Sequence, residues 1–124
     1  MMKDRMDTLA QAIDFWLKTY KKTSVKTATY DRLETSLKLL QHYPSISDAY
    51  WMNVYAKSIQ ALLNLMALDG YSDSTIKKMR DLVCAFYKYK LAMCDIQYPF
   101  YTLVKMPRNC PKKLVEGYIN GRAN

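Results

Sequence analysis

The sequence is poor in the residues that build chemical sites. It has one histidine, His42, and three glycines, at positions 70, 117 and 121. Glycines so far apart cannot form a phosphate-cradling loop. A single imidazole near the end of a helical segment is more often a partner of the helix dipole than a ligand or base. Three cysteines, Cys84, Cys94 and Cys110, make no C-x-x-C pair and no complete disulfide framework. Cys84 and Cys94 fall about 15 Å apart along one helix, beyond disulfide reach, so reduced thiols and a cytoplasmic protein are expected. Without a Cys or His cluster there is no zinc site to assign. The acids are scattered, so no carboxylate pair shares a site. No catalytic residue, metal or cofactor is expected. Long apolar runs are missing too. The best, "ALLNLMALDG", is broken by Asn64 and too short to span a bilayer, and "MMKDRMD" leads into no signal-peptide core.

Negative charge is also scarce. Nineteen Lys and Arg exceed eleven Asp and Glu, for a net charge of +8. The excess is local. Residues 1–20 are balanced, and residues 39–76 carry only Lys57 against Asp48, Asp69 and Asp73. Stretch 21–38 holds Lys21, Lys22, Lys26, Arg32 and Lys38 against Asp31 and Glu34; stretch 77–90 holds Lys77, Lys78, Arg80, Lys88 and Lys90 against Asp81 alone; Lys105, Arg108, Lys112 and Lys113 follow. Clustered base favours a polyanion, either nucleic acid or an anionic membrane surface. The membrane fares worse, because the apolar side of each basic helix is needed for the core.

What is abundant is helical periodicity. A chain of 124 residues, half of them apolar, is sized for one domain. Leu9, Ile13, Trp16, Leu17 and Tyr20 predict an amphipathic helix over about 7–22, with Asp7 as its N-cap. Thr27 is expected to cap a second helix over about 27–43, facing inward through Tyr30, Leu33, Leu37 and Leu40 and ended by Pro44. The stretch "PSISDAYWMNVY" has no clean period and reads as a long connection, packed through Ile46, Tyr50, Trp51 and Val54. A third helix covers about 56–69, with Ile59, Leu62, Leu63 and Met66 inward and Gly70 at a left-handed C′ position. A fourth covers about 72–94, capped by Ser72. Its Ile76, Met79, Leu82, Val83, Phe86, Lys90 and Met93 lie within roughly 100°, all but Lys90 forming a core stripe. Pro99, Pro107 and Pro111 then break the pattern until a short helix at "KKLVEGYI". The fold class is all-α, a four-helix bundle. Most of the eleven tyrosines, Tyr20, Tyr30 and Tyr87 among them, sit at core or boundary spacing. Met79 and Met93 read as core filling.

The fourth helix also presents Ser74, Lys77, Lys78, Asp81, Ala85 and Lys88 on its outer side. Amides of its first turn, with the Ser74 and Thr75 hydroxyls and then Lys77 and Lys78, can hold phosphate. Lys22, Lys26, Thr27, Thr29 and Arg32 repeat hydroxyls beside bases at the second helix start.

The residue order "WLKTYKKTSVKTATYDRLE" followed by "KSIQALLNLMALDGYSDSTIKKMRDLVCAFYKYKLAMCDIQYPFYTLVKMP" resembles the core-binding domain of phage and conjugative-transposon integrases, the lambda-type tyrosine recombinases. The marks are Trp16 with Tyr20, "TYDRLE" at Thr29–Glu34, "IQALLN" at Ile59–Asn64, "GYSDSTIKK" at Gly70–Lys78, and the Tyr98-Pro99, Val104-Lys105, Pro107 exit. Two positions depart from the family pattern: Thr27 stands where proline is frequent, and Tyr98 where asparagine is common. The resemblance implies a four-helix bundle of SAM-like type over 1–107 that forms one jaw of a clamp around duplex DNA. Residues 108–124 would be a basic linker or short helix toward a catalytic domain absent here, so the expected chain is an excised domain or truncated product. The positions matching DNA-facing family positions are Lys26, Thr27, Thr29, Arg32, Ser74, Thr75, Lys77 and Lys78. The competing expectation is a protein-protein interaction or self-association module built on the Met- and Tyr-rich surface.

Overall fold

The computed structural model describes residues 7–107. The expected helix at "KKLVEGYI" lies outside the described residues. The protein is an all-α bundle with no strand among those residues: α1 (Leu9–Trp16), α2 (Thr27–Leu40), a short α3 (Pro44–Ser47), α4 (Ala56–Leu68) and α5 (Asp73–Ala92). Single 3₁₀ turns cover Trp51–Asn53 and Phe100–Leu103.

The N-cap of α1 is Thr8, not Asp7. Thr8 Oγ1 accepts from the Gln11 amide at 3.2 Å while Gln11 Oε1 accepts from the Thr8 amide at 3.0 Å. This reciprocal capping box satisfies two orphan donors, which Asp7 has no partner three residues on to do. The entry is tied to the connection by backbone bonds from the Leu9 amide to the Ala49 carbonyl and from the Trp51 amide to the Asp7 carbonyl. Beyond Trp16 the helix widens into a π-helical turn, Leu17–Lys21, closed by the Lys22 amide on the Leu17 carbonyl at 2.9 Å. That turn rotates Tyr20 off the core register. Its ring is 46 % exposed, contrary to the spacing.

Helix α2 begins one residue away from its expected cap. Lys26 holds the N-cap position without a side-chain bond, and Thr27 is the first helical residue. The helix stops at Leu40 rather than at Pro44, because Tyr43 is pushed to φ −122° and ψ 71° by the ring that follows it. Pro44 instead opens α3. The second half of α2 is buried most deeply, through Ser36, Leu37 and Leu40, while Tyr30 and Leu33 pack half-buried against the core and Lys26, Thr27 and Ala28 at its start are exposed. Within the connection Ile46, Trp51 and Val54 are buried as expected, whereas Tyr50 is exposed.

Helices α4 and α5 form an antiparallel hairpin through Gly70. Gly70 has φ 94°, its amide reaches the Ala67 carbonyl, and the Tyr71 amide reaches Met66, a complete Schellman stop. The same pair of bonds ends α5: Cys94 amide to Leu91 and Asp95 amide to Lys90, with Cys94 in the left-handed region at φ 62°. Helix α5 therefore ends at Ala92, and Met93 is 52 % exposed rather than part of the core.

Helix α5 is the central element, packed on both α2 and α4. Ile76, Met79, Leu82, Val83, Phe86 and Tyr87 bury against Leu9, Ile13, Leu17, Ile59, Leu63 and Met66. Edge-to-face rings fill the middle: Phe86 lies 5.7 Å from Trp16 and 6.2 Å from Trp51, and Tyr87 lies 5.0 Å from Phe100. Lys90, the charged exception on that stripe, is also buried. Its ammonium sits 4.3 Å over the Trp51 ring and 3.6 Å from Asp95. The aliphatic stem completes the apolar face while ring and carboxylate hold the charge.

Candidate nucleic-acid interface

The two basic helix starts differ in how they treat an anion. At α5, Ser72 Oγ accepts from the Thr75 amide at 3.2 Å and hydrogen-bonds the Thr75 hydroxyl at 3.0 Å. Asp73 in the first turn already faces the positive end of the dipole. Thr75 is half-buried and engaged in the cap, so an incoming phosphate meets Ser74, Lys77 and Lys78, all exposed, rather than the helix end itself. At α2 the N-cap side chain makes no bond, and the first turn carries no acid. There Lys22, Lys26 and Thr27 are exposed; Thr29 is half-buried and Arg32 is exposed further along. The start of α2 is the better anion seat.

The starts do not adjoin. The Tyr43 hydroxyl, just beyond α2, donates to the Asp69 carboxylate, just before α5. The C-terminal end of α2 thus meets the N-terminal end of α5, and the helices run antiparallel. This puts the Lys22–Arg32 group and the Ser74–Lys78 group at opposite ends of the pair. What connects them is α5 itself. At 100° per residue Ser74, Lys77, Lys78, Asp81, Ala85 and Lys88 fall within about 100°, and of these Ala85 is half-buried and the rest are exposed. From Lys77 to Lys88 the helix rises about 16 Å, near five base pairs of duplex.

At its upper end this stripe borders a groove of ≈ 440 Å³ lined by Trp16, Tyr20, Lys21, Ser24, Ala85, Lys88, Tyr89 and Ala92. The groove places Lys21 opposite Lys88 and brings the turn before α2 onto α5. Lys21 also lies 5.3 Å over the Trp16 ring. Sequence spacing missed Lys21 and Lys88 as site residues, since only the folded turn brings them together. The sequence signals were their membership of the two basic clusters and the small Ala85 beside Lys88 on the outer face.

Two nearby cations are paired. Lys18 pairs with Asp14 at 3.1 Å, which holds its ammonium above the ordinary pKa, and Arg80 pairs with Asp81 at 3.6 Å. The opposite side of the bundle is chemically different. A groove of ≈ 320 Å³ there is lined by Trp51, Met52, Tyr55, Tyr87, Tyr98 and Phe100 with no charged residue. Among the described residues no three His, Cys, Asp or Glu side chains converge as metal ligands, and no helix is long and apolar enough to cross a membrane. No protein-family model matches the chain, and no curated protein or solved structure matches it.

Proposed function

We propose that the chain is a duplex-DNA-binding module, the core-binding part of a phage-type integrase, acting in the cytoplasm without chemistry of its own. The observation that supports this reading is the outer face of α5, which carries Lys77, Lys78 and Lys88 with Asp81 between them and borders Lys21 ahead of the uncapped start of α2. Lys77 and Lys88, about 16 Å apart along α5, are spaced to contact separate phosphates of a backbone rather than one isolated anion. Lys77 and Lys78 serve one end; Lys22, Lys26, Arg32 and the α2 amides serve the other. Affinity arises mainly from release of condensed counterions, so it carries little sequence information by itself. The catalytic domain of the same integrase is the protein partner this reading implies.

The test is a fluorescence-anisotropy titration of a labelled generic duplex at two salt concentrations. Engagement of about five phosphates predicts a log–log salt slope of about −4.5. No saturable binding at low salt refutes the reading. The neutral aromatic groove favours one alternative, a protein-docking or self-association module. A stable dimer at micromolar concentration, dissociated by Tyr55→Ala and lacking DNA affinity, would establish that alternative instead.

A further inference from the structure

We infer that the groove between the π-turn of α1 and the last turns of α5 is a stacking site for single-stranded nucleic acid, a ligand class distinct from the duplex proposed above. Its walls are aromatic and its rim is cationic. The Tyr20 and Tyr89 rings lie 5.1 Å apart at 42°, and Trp16 lies 6.1 Å from Tyr89 on the inner side. Tyr20 is 46 % exposed, an uncommon state for a ring that helical spacing assigns to the core. Lys21 and Lys88 flank the rings, and no acid lines the groove. The ≈ 440 Å³ of space, opened by Ala85 where a larger residue would fill it, falls in the range of about 300–1,000 Å³ usual for small-ligand sites.

A duplex cannot use these rings, because its bases are stacked on one another and present only edges in the grooves. An unpaired base has a free π-face. Laid against Tyr20 it would put its own backbone phosphates within reach of Lys21 and Lys88, the combination of aromatic platform and basic rim that tracks single strands without sequence preference. The π-turn supplies the geometry: it turns Tyr20 outward while keeping Trp16 and Leu17 in the core. The charged rim also argues against an apolar protein segment as the occupant, for which the neutral groove on the other side is better suited.

The experiment titrates a labelled oligothymidylate and, separately, a labelled duplex with the intact chain and with Tyr20→Leu and Tyr20→Phe. Tyr20 is a surface position, so both variants keep the fold, which circular dichroism checks. The expected result is saturable oligothymidylate binding that falls about 5- to 140-fold in Tyr20→Leu, is retained in Tyr20→Phe, and is accompanied by no change in duplex affinity. Duplex binding without oligothymidylate binding overturns this inference and leaves the duplex reading standing. Oligothymidylate binding that Tyr20→Leu does not weaken, or that Tyr20→Phe weakens equally, also overturns it. Single-strand binding without duplex binding supports the inference and removes the duplex reading.

Discussion

Replacing Lys77 and Lys78 together by alanine tests the electrostatic account most directly. Both side chains are exposed on the outer face of α5, and alanine is the better helix former, so the bundle should retain its stability. If each lysine neutralises one phosphate, the salt slope becomes less steep by about 1.8. Extrapolated from 1 M salt, where counterion release contributes nothing, that slope loss lowers affinity at 0.1 M by about 60-fold. Lys22→Ala with Lys26→Ala, at the other end of the stripe, should do the same. Because the two ends lie farther apart than about 10 Å, their effects should multiply, giving a loss of about 4,000-fold for the quadruple variant. The assay is anisotropy on one duplex across four salt concentrations, with a thermal melt of each variant. Affinity that falls while the slope stays fixed would mean that the lysines do not act by displacing counterions. An unchanged affinity and slope would remove Lys77 and Lys78 from the interface.

Three further outcomes concern the scaffold that holds the stripe. The buried Tyr87 hydroxyl donates to the Trp51 carbonyl at 2.7 Å, and burial pushes its pKa well above the ordinary 10.0. The fold therefore favours the neutral phenol: stability is level below about pH 10 and falls above it, as the unfolded tyrosine ionises first. Tyr87→Phe should cost about 1 kcal/mol at neutral pH and make that alkaline loss smaller, Tyr43, raised by burial and by Asp69, keeping its own share, read by urea unfolding at pH 7 and pH 11. Lys90→Ala should cost about 2–4 kcal/mol by opening space over Trp51 and Phe86, whereas Lys90→Met, which keeps the stem, should stay within about 1.5 kcal/mol; equal losses would show that the ammonium rather than the packing matters. At the two matched helix stops the signs should oppose: Gly70→Ala, at φ 94°, destabilises by about 1 kcal/mol, and Cys94→Gly, at φ 62°, stabilises by somewhat less, both measured by urea midpoint.

The parts of this fold that could be read in the sequence are those decided locally. Gly70 and Ser72 mark a stop and a start whose bonds reach only a few residues away, and the structure has both. The inward positions of α4 follow a period of 3.6 without interruption, and all are buried. Reading failed where a distant element intervened. Lys90 fell on the inward face of its helix but was set apart from the core stripe, because nothing in its own helix explains a buried charge; Trp51, from an aperiodic stretch, supplies the ring beneath it. Tyr20 looked like a core residue because spacing assumes an unbroken α-helix, and the π-turn at Leu17–Lys21 breaks it. The candidate site combines both situations. Its lysines and hydroxyls are visible in the sequence as two basic clusters of similar composition, but composition does not say whether two helix starts share a face. The antiparallel packing of α2 on α5 separates them, and capping makes them unequal: Asp73 and Ser72 occupy one helix start, while nothing of the kind occupies the other. A polyanion bound along α5 would therefore be held by side-chain charge at the Lys77 end and by charge plus backbone amides at the Lys26 end. Neutral-salt competition should release the Lys77 end first, because amide contacts oriented by a helix are less screened than flexible lysines in solvent.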